Sequence, residues 1–322
     1  MERTNLNIIM YHYVRDLSHS RYPKIKGLDT ELFKEQITYL KKNFTIVKME
    51  DIIDKANGGG CLPDNSVLLT FDDGYIDNFI TVLPILKQHK LQGSFFIPGK
   101  TFTEDVLLDV NKVHFILASA PEKEVVQDLL ELINKFRDIY PEIPSNEELL
   151  KKYAVADRFD TAETIFCKRI LQTAIPEELR NKLSSILFEK YVGLPENYFA
   201  RELYMNRDQI RFMKDEGMFI GLHGYDHYWL ANLSEDKMKK DIDKALEVMD
   251  GFIDRDNWVM NYPYGNYNHN VVEYIRTKGC KLGLTTEVGR AALGMDDLYQ
   301  LPRWDCNDFP PKSYNYMKLE KI

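Results

Sequence analysis

The chain lacks a basic excess, closely spaced cysteines and a long apolar run, and each absence removes a class of function. Against 42 lysines and arginines stand 50 aspartates and glutamates, a formal net charge of -8. A nucleic-acid binder usually carries a basic field, so no nucleic-acid partner is expected. The four cysteines stand at 61, 167, 280 and 306. None forms a Cys-x-x-Cys pair, which argues against a zinc finger or a thioredoxin-type motif and fits free thiols in a reducing compartment. No stretch approaches the roughly 18 apolar residues of a membrane span, so no transmembrane segment is expected. The amino terminus, MERTNLNIIMYHYV, has no charged region leading into a long apolar run with a cleavage site, and the expected location is cytoplasmic. Internal repeats and low-complexity segments are also missing.

What is present is an ordinary globular composition over 322 residues, 44% of them hydrophobic. A chain of this length buries a core without disulfides or structural metals, so any metal serves chemistry. Short apolar runs at Asn7–Val14, Ser66–Phe71, Gly93–Ile97, Met218–Leu222, Trp258–Tyr262 and Lys281–Thr285 read as strands. Helical spacing predicts helices over Thr30–Asn43, Asp77–His89, Arg207–Glu216, Ser234–Met249 and Asn270–Lys278. The alternation implies right-handed crossovers and a mostly parallel sheet. Between about Thr103 and Met205 strand signals vanish, and residues such as Leu129, Leu130, Leu132, Ile133 and Phe136 recur at helical spacing. The expected organisation is an α/β domain from 1–102 and 206–322 with a helical insertion over 103–205.

Three polar clusters sit where expected strands end: Asp72-Asp73, His223 to His227, and Tyr262 to Gly265. In parallel α/β folds the carboxyl ends of strands gather into one rim, which is where active sites form. At a strand end one carboxylate of an adjacent pair can hold a cation while the other stays free as a base. An isolated Asp-Asp-Gly is also a common turn. Two imidazoles four residues apart can meet one metal, and a site of two histidines and one carboxylate leaves a position for an activated water. A histidine pair at this spacing is also found in purely structural settings.

Together these segments resemble the polysaccharide deacetylase family, carbohydrate esterases with a NodB-type domain. The resemblance lies in TFDDG at 70–74, His-x-x-x-His at 223–227 and YPYG at 262–265, with MYHYV at 10–14 and LPR at 301–303 adding to it. It implies a distorted (β/α) barrel of the NodB type, here with a large helical insertion. It implies Asp73, His223 and His227 as metal ligands, Asp72 as general base and the Tyr264 backbone N–H as oxyanion donor. Zinc suits such a ligand set, and nickel, cobalt, manganese and iron(II) are compatible.

The chain departs from the family pattern at three points. Gly224 replaces the usual Ser or Thr after the first motif histidine, Asn261 replaces the arginine that usually orients the base, and the late Leu-x-His that supplies the general acid has no match. Deacetylases of biofilm poly-N-acetylglucosamine export carry the motifs in permuted order, with the acid histidine near the amino terminus. His12 is therefore the expected general acid and Arg303 the expected partner of Asp72. Trp229 and Trp304 are candidates to line a sugar groove or to pack in the core.

The implied reaction is hydrolysis of an N-acetyl group on a sugar or glycan precursor, with release of acetate, in surface-glycan biosynthesis. O-deacetylation, N-deformylation and cyclic-amide hydrolysis use the same parts, and a glycan-binding protein that has lost catalysis is the alternative from another class. The expected partner is a carbohydrate, nucleotide-linked or lipid-linked, and the oligomeric state stays open. The insertion is expected to act as a lid, a specificity element or an oligomer contact.

Overall fold

The computed structural model describes residues 4–318, so the outermost ends of the expected 1–102 and 206–322 segments lie outside the described residues. The chain divides into two compact units, one of residues 1–16, 27–105 and 201–322, the other of 17–26 and 106–200. The sequence assigns 17–26 to the strand-bearing domain and 103–205 to the insertion. In the structure the segment Leu17–Lys26 belongs with the helices.

The first unit is built on nine strands: β1 Thr4–Tyr11, β2 Thr45–Ile46, β3 Ser66–Phe71, β4 Ser94–Ile97, β5 Phe219–Leu222, β6 Val259–Asn261, β7 Leu282–Leu284, β8 Ala291–Leu293 and β9 Trp304–Asp305. They form one mixed sheet in the order β8-β1-β3-β4-β5-β6-β7, with β2 on β3 and β9 on β1. Pairing from β1 through β7 is parallel, and only β8 runs antiparallel, against Thr4–Leu6 of β1. The sheet curls into a distorted barrel. Leu301 bridges to Leu284 of β7, and β9, three residues later, pairs with Ile9 and Met10 of β1, so one short segment links the last parallel strand to the first.

Both faces of the central strands are apolar, as continuous hydrophobic runs require. Alternate residues fall into separate cores. Leu6, Ile8, Leu68, Phe96, Phe219, Val259, Leu282 and Leu301 pack in one, capped by the helix Met49–Ala56. Ile9, Tyr11, Leu69, Phe71, Phe95, Leu222, Met260 and Tyr262 pack in the other, against Phe33, Ile37 and Leu40 of the helix Thr30–Asn43 and Met238, Ile242 and Ala245 of the helix Glu235–Val248. Asp29 caps the former helix by accepting from the Glu31 N–H, and Ser234 caps the latter through the Lys237 N–H.

Three boundaries differ from the sequence expectation. Strand β1 stops at Tyr11, so His12 lies just beyond its carboxyl end rather than inside a strand to Val14, and Val14–Arg15 instead pairs in parallel with Leu28–Asp29. The expected helix Asp77–His89 opens with a wide π turn over Asn78–Val82 and becomes α-helical only from Leu83. Pro84 explains this, since its ring conflicts with the carbonyl of Ile80 in a regular α-helix. Strands β8 and β9 were not expected, being three and two residues long.

The second unit contains only helices among its described residues, including Asp109–Ser119, Glu122–Phe136, Ala162–Arg169 and Glu177–Tyr191. Leu129 and Ile133 point into its core with Val113, Ile116, Phe166, Leu183 and Phe188. Tyr22 stacks edgewise on Phe115 and Phe199, and Lys26 holds Asp160 and the Phe159 carbonyl, which fastens Leu17–Lys26 to this unit.

All four cysteines are free, and burial pushes the thiols of Cys167 and Cys280 up to about 12. No helix of the described residues is long and apolar enough to cross a membrane.

Gln36 is the polar tie between β1 and the carboxyl-terminal segment. Fully buried, it accepts from the Tyr11 hydroxyl at 2.6 Å and donates to the carbonyls of Cys306 at 2.9 Å and Pro310 at 3.0 Å. Gln36→Leu keeps the volume but strands all three groups. It should destabilise the protein by roughly 2–4 kcal/mol, read as a lower urea midpoint at unchanged slope. An unchanged midpoint would show that the tie contributes nothing.

Candidate metal centre and catalytic rim

The polar clusters occupy the carboxyl ends of neighbouring parallel strands. Asp72 and Asp73 follow β3, His223 follows β5, Tyr262 to Gly265 follow β6, and His12 follows β1. At Asp73 the backbone turns into the left-handed region, with φ 71°, so the two adjacent carboxylates separate. His227 and Tyr264 share that conformation, at φ 56° and 59°. These three are among the five non-glycine residues with positive φ in the described chain. Such strain persists only where the surroundings hold it, and it gathers at functional sites.

Asp73, His223 and His227 are buried together, and their ligand atoms all lie within 4.8 Å of one another. Oδ1 of Asp73 is 3.3 Å from Nε2 of His223 and 3.2 Å from Nε2 of His227. The Nδ1 of His223 is 2.7 Å from the Asn261 carbonyl, an acceptor only, so the proton sits on Nδ1 and Nε2 presents a lone pair. Burial lowers the His227 pKa from its ordinary value, with Asp73 opposing. The other oxygen of Asp73 accepts from the buried Tyr75 hydroxyl at 2.6 Å, whereas Oδ1 has no hydrogen-bond partner among the described residues. Burial works against ionisation of Asp73, yet the two imidazoles beside it hold the carboxyl well below its usual range. Three ligand-type atoms thus converge on one buried point. A divalent cation fits there: two imidazoles and a carboxylate suit zinc, with an outer hydrogen bond on His223 and on Asp73.

Asp72 belongs to a different environment. Its carboxylate meets Arg303 in a bidentate pair, Oδ1 to Nη1 and Oδ2 to Nη2 both at 2.9 Å. Arg303 is itself buried, donating also to the Thr285 carbonyl at 2.8 Å and to the Thr70 hydroxyl at 3.1 Å. Burial alone would raise the Asp72 pKa, but the Arg303 charge and hydrogen bonds outweigh it and hold the carboxyl below its ordinary value. Nε2 of His12 lies 3.8 Å from Oδ2 of Asp72, on a side chain that remains about one-third exposed.

The aromatic candidates divide. Trp304 is core, with its indole N–H donating to the Asn7 side chain at 3.0 Å, and it lines no groove. Trp229 is part-exposed at the rim and stacks on Tyr264 at 4.5 Å, while Tyr264 meets His227 edgewise at 4.6 Å. Two residues beside the site carry no expectation from the sequence: Tyr75, which follows Asp-Asp-Gly directly, and Asp241. The signal for Asp241 is its place on the buried stripe of its helix, three residues after Met238 and four before Ala245. Burial pushes the Asp241 carboxyl up to about 6, although it accepts from two backbone N–H groups.

Known proteins are similar to this chain in sequence and in fold. A family model described as polysaccharide deacetylase matches residues 59–134 and 180–283, more than half of the chain. Over 80 residues the chain is 35% identical to the poly-β-1,6-N-acetyl-D-glucosamine N-deacetylase of Escherichia coli K12, a stretch covering 24% of this chain and 12% of that protein. Matched stretches span between 12% and 32% of the length of the curated relatives. In fold the chain is similar to the deacetylase PplD of Streptococcus pyogenes, solved in complex with acetate (TM-score 0.58, 15% identity, 98% of each chain covered). It is likewise similar to IcaB from Ammonifex degensii (TM-score 0.57, 18% identity, 98% and 96% covered).

The Asp72–Arg303 pair generates a double-mutant test. Arg303→Met leaves a buried unpaired carboxylate and should destabilise by about 3–5 kcal/mol. Adding Asp72→Asn to Arg303→Met should recover at least about 1 kcal/mol relative to the sum of the two single variants in urea unfolding. Strict additivity would mean that the two groups are not coupled.

Proposed function

The chain belongs to the polysaccharide deacetylase family, and from that premise we propose that it hydrolyses the N-acetyl group of an amino sugar, releasing acetate. The observation that carries this reading is the separation of two adjacent carboxylates, Asp73 beside two imidazoles and Asp72 against a guanidinium. A divalent ion held by Asp73, His223 and His227 supplies Lewis acidity toward the acyl carbonyl and makes water acidic enough to attack near neutral pH. Zinc is the proposed ion on the chemistry of the donors.

The remaining steps belong to the chain's own groups. Asp72, kept ionised by Arg303, takes a proton from the attacking water as its oxygen adds to the carbonyl carbon. The oxyanion that forms accepts from the Tyr264 backbone N–H. His12, beside Asp72 and open to solvent, gives a proton to the departing nitrogen as the C–N bond breaks. The products are acetate and a free amine.

We place the substrate among N-acetylated glycans or their nucleotide-linked or lipid-linked precursors, in surface-glycan assembly. The sequence likeness to a poly-N-acetylglucosamine N-deacetylase supports this. The rim aromatics Trp229 and Tyr264 offer apolar faces suited to a sugar ring.

Two measurements test the reading. Protein stripped with a chelator should release no acetate from a panel of N-acetylated amino sugars and regain turnover with zinc, and His223→Ala should lose both bound metal and activity. Stoichiometric metal with no turnover on any acylated sugar would favour glycan binding instead. His12→Ala should lower kcat by about 10²-fold or more with metal content unchanged. Activity within about threefold of the parent would remove His12 from the mechanism.

A further inference from the structure

The segment from His223 to His227 must hold two imidazoles on one point while its backbone passes through left-handed conformations at Gly224, φ 67°, and His227, φ 56°. Its peptide groups are bound on both sides. The carbonyls of Gly224 and Tyr225 accept from the N–H groups of Gly99 and Lys100, each at 3.0 Å. The consecutive N–H groups of Tyr225 and Asp226 donate to the two oxygens of one carboxylate, Asp241, at 3.0 and 2.9 Å.

Asp241 reaches this position from the helix Glu235–Val248, where it stands on the buried face beside Met238 and Ile242. The space it fills exists because residue 224 is glycine: a Cβ there would lie 3.0 Å from Oδ2 of Asp241. Gly224 is also where the family usually has a hydroxyl. A planar carboxylate gives each of two successive N–H donors its own acceptor oxygen, whereas a hydroxyl would have to share a single oxygen between them.

We infer that Asp241 is a positioning residue of the metal centre, its carboxylate replacing the missing hydroxyl at 224 as the brace that fixes the His223–His227 loop in ligating geometry. This rests on the reading of Asp73, His223 and His227 as metal ligands. Asp241 touches neither substrate nor ligand side chain. It acts by making the loop conformation that aims both imidazoles the resting one, so that metal binding does not have to order it. Asparagine is the sharp test, because its amide keeps the volume but turns an NH2 toward one of the two N–H donors.

The experiment titrates zinc into the metal-free full chain at pH 8 by calorimetry, for the parent, Asp241→Asn and Asp241→Ser. Thermal midpoints of all three metal-free proteins are measured alongside. Both variants should bind zinc about 10–100-fold more weakly, while their metal-free midpoints stay within a few degrees of the parent. Zinc bound as tightly as by the parent overturns the inference. So does a large fall in midpoint with affinity of the folded fraction unchanged, which marks a structural brace alone. Should neither variant fold, hydrogen exchange on the metal-free parent decides: the Tyr225 and Asp226 amides should be the slowest within 223–229, and fast exchange there overturns the proposal. A parent that binds no zinc at all removes the metal reading itself, an outcome distinct from a parent that binds while Asp241→Asn binds equally well.

Discussion

The Nε2 atoms of two buried imidazoles lie 3.3 and 3.2 Å from one carboxylate oxygen. Left to themselves, Asp73, His223 and His227 would rotate apart. The surroundings prevent this. The Asn261 carbonyl fixes the tautomer of His223, the Tyr75 hydroxyl occupies the second oxygen of Asp73, and the left-handed backbone at Asp73 and His227 sets the direction of each side chain. The fold holds this arrangement because Asp73 and His223 follow strands whose register is set deep in the sheet, where a slip of one residue would exchange the two apolar faces.

The same sheet gives two neighbouring aspartates opposite surroundings. Asp73 turns toward the two imidazoles, His223 and His227. Asp72 is still hydrogen-bonded to β1 through its backbone N–H, and it turns onto Arg303. A buried carboxylate without that guanidinium would be driven toward its neutral form. With it, the group stays ionised in a largely dry setting, though less basic than an ordinary carboxylate. Two charges of like sign are thus kept side by side in sequence, each with its own counter-charge or cation site.

Much of this could be read before the fold was known, and the limits follow from the length scale of the signals. Ser66–Phe71 is a run of apolar residues ending in two acids, and its bounds match β3; such a run has few alternatives. Strands of two or three residues, such as β8 and β9, carry no periodicity to detect. Leu17–Lys26 gives no local hint of joining the helical unit, because what fastens it there is Tyr22 against Phe115 and Lys26 against Asp160, pairs more than ninety positions apart in sequence. Motif residues were legible because their chemistry is unusual where they stand. Asp241 was not, being one acid among several on a helix, and only its place on the apolar stripe sets it apart. Trp304, for which the sequence leaves groove and core both open, is packed inside.

The segment 301–305 that joins the last parallel strand to the first also carries Arg303. Closing the sheet and neutralising Asp72 therefore rest on the same five residues. During synthesis β1 and β3 are made almost three hundred and more than two hundred residues before that arginine, and until it arrives Asp72 has no counter-charge to be buried with. Until residues 301–305 are made, the sheet lacks the segment that closes it. A chain truncated before residue 303 lacks both the clasp of the sheet and the charge that accompanies Asp72 into the interior.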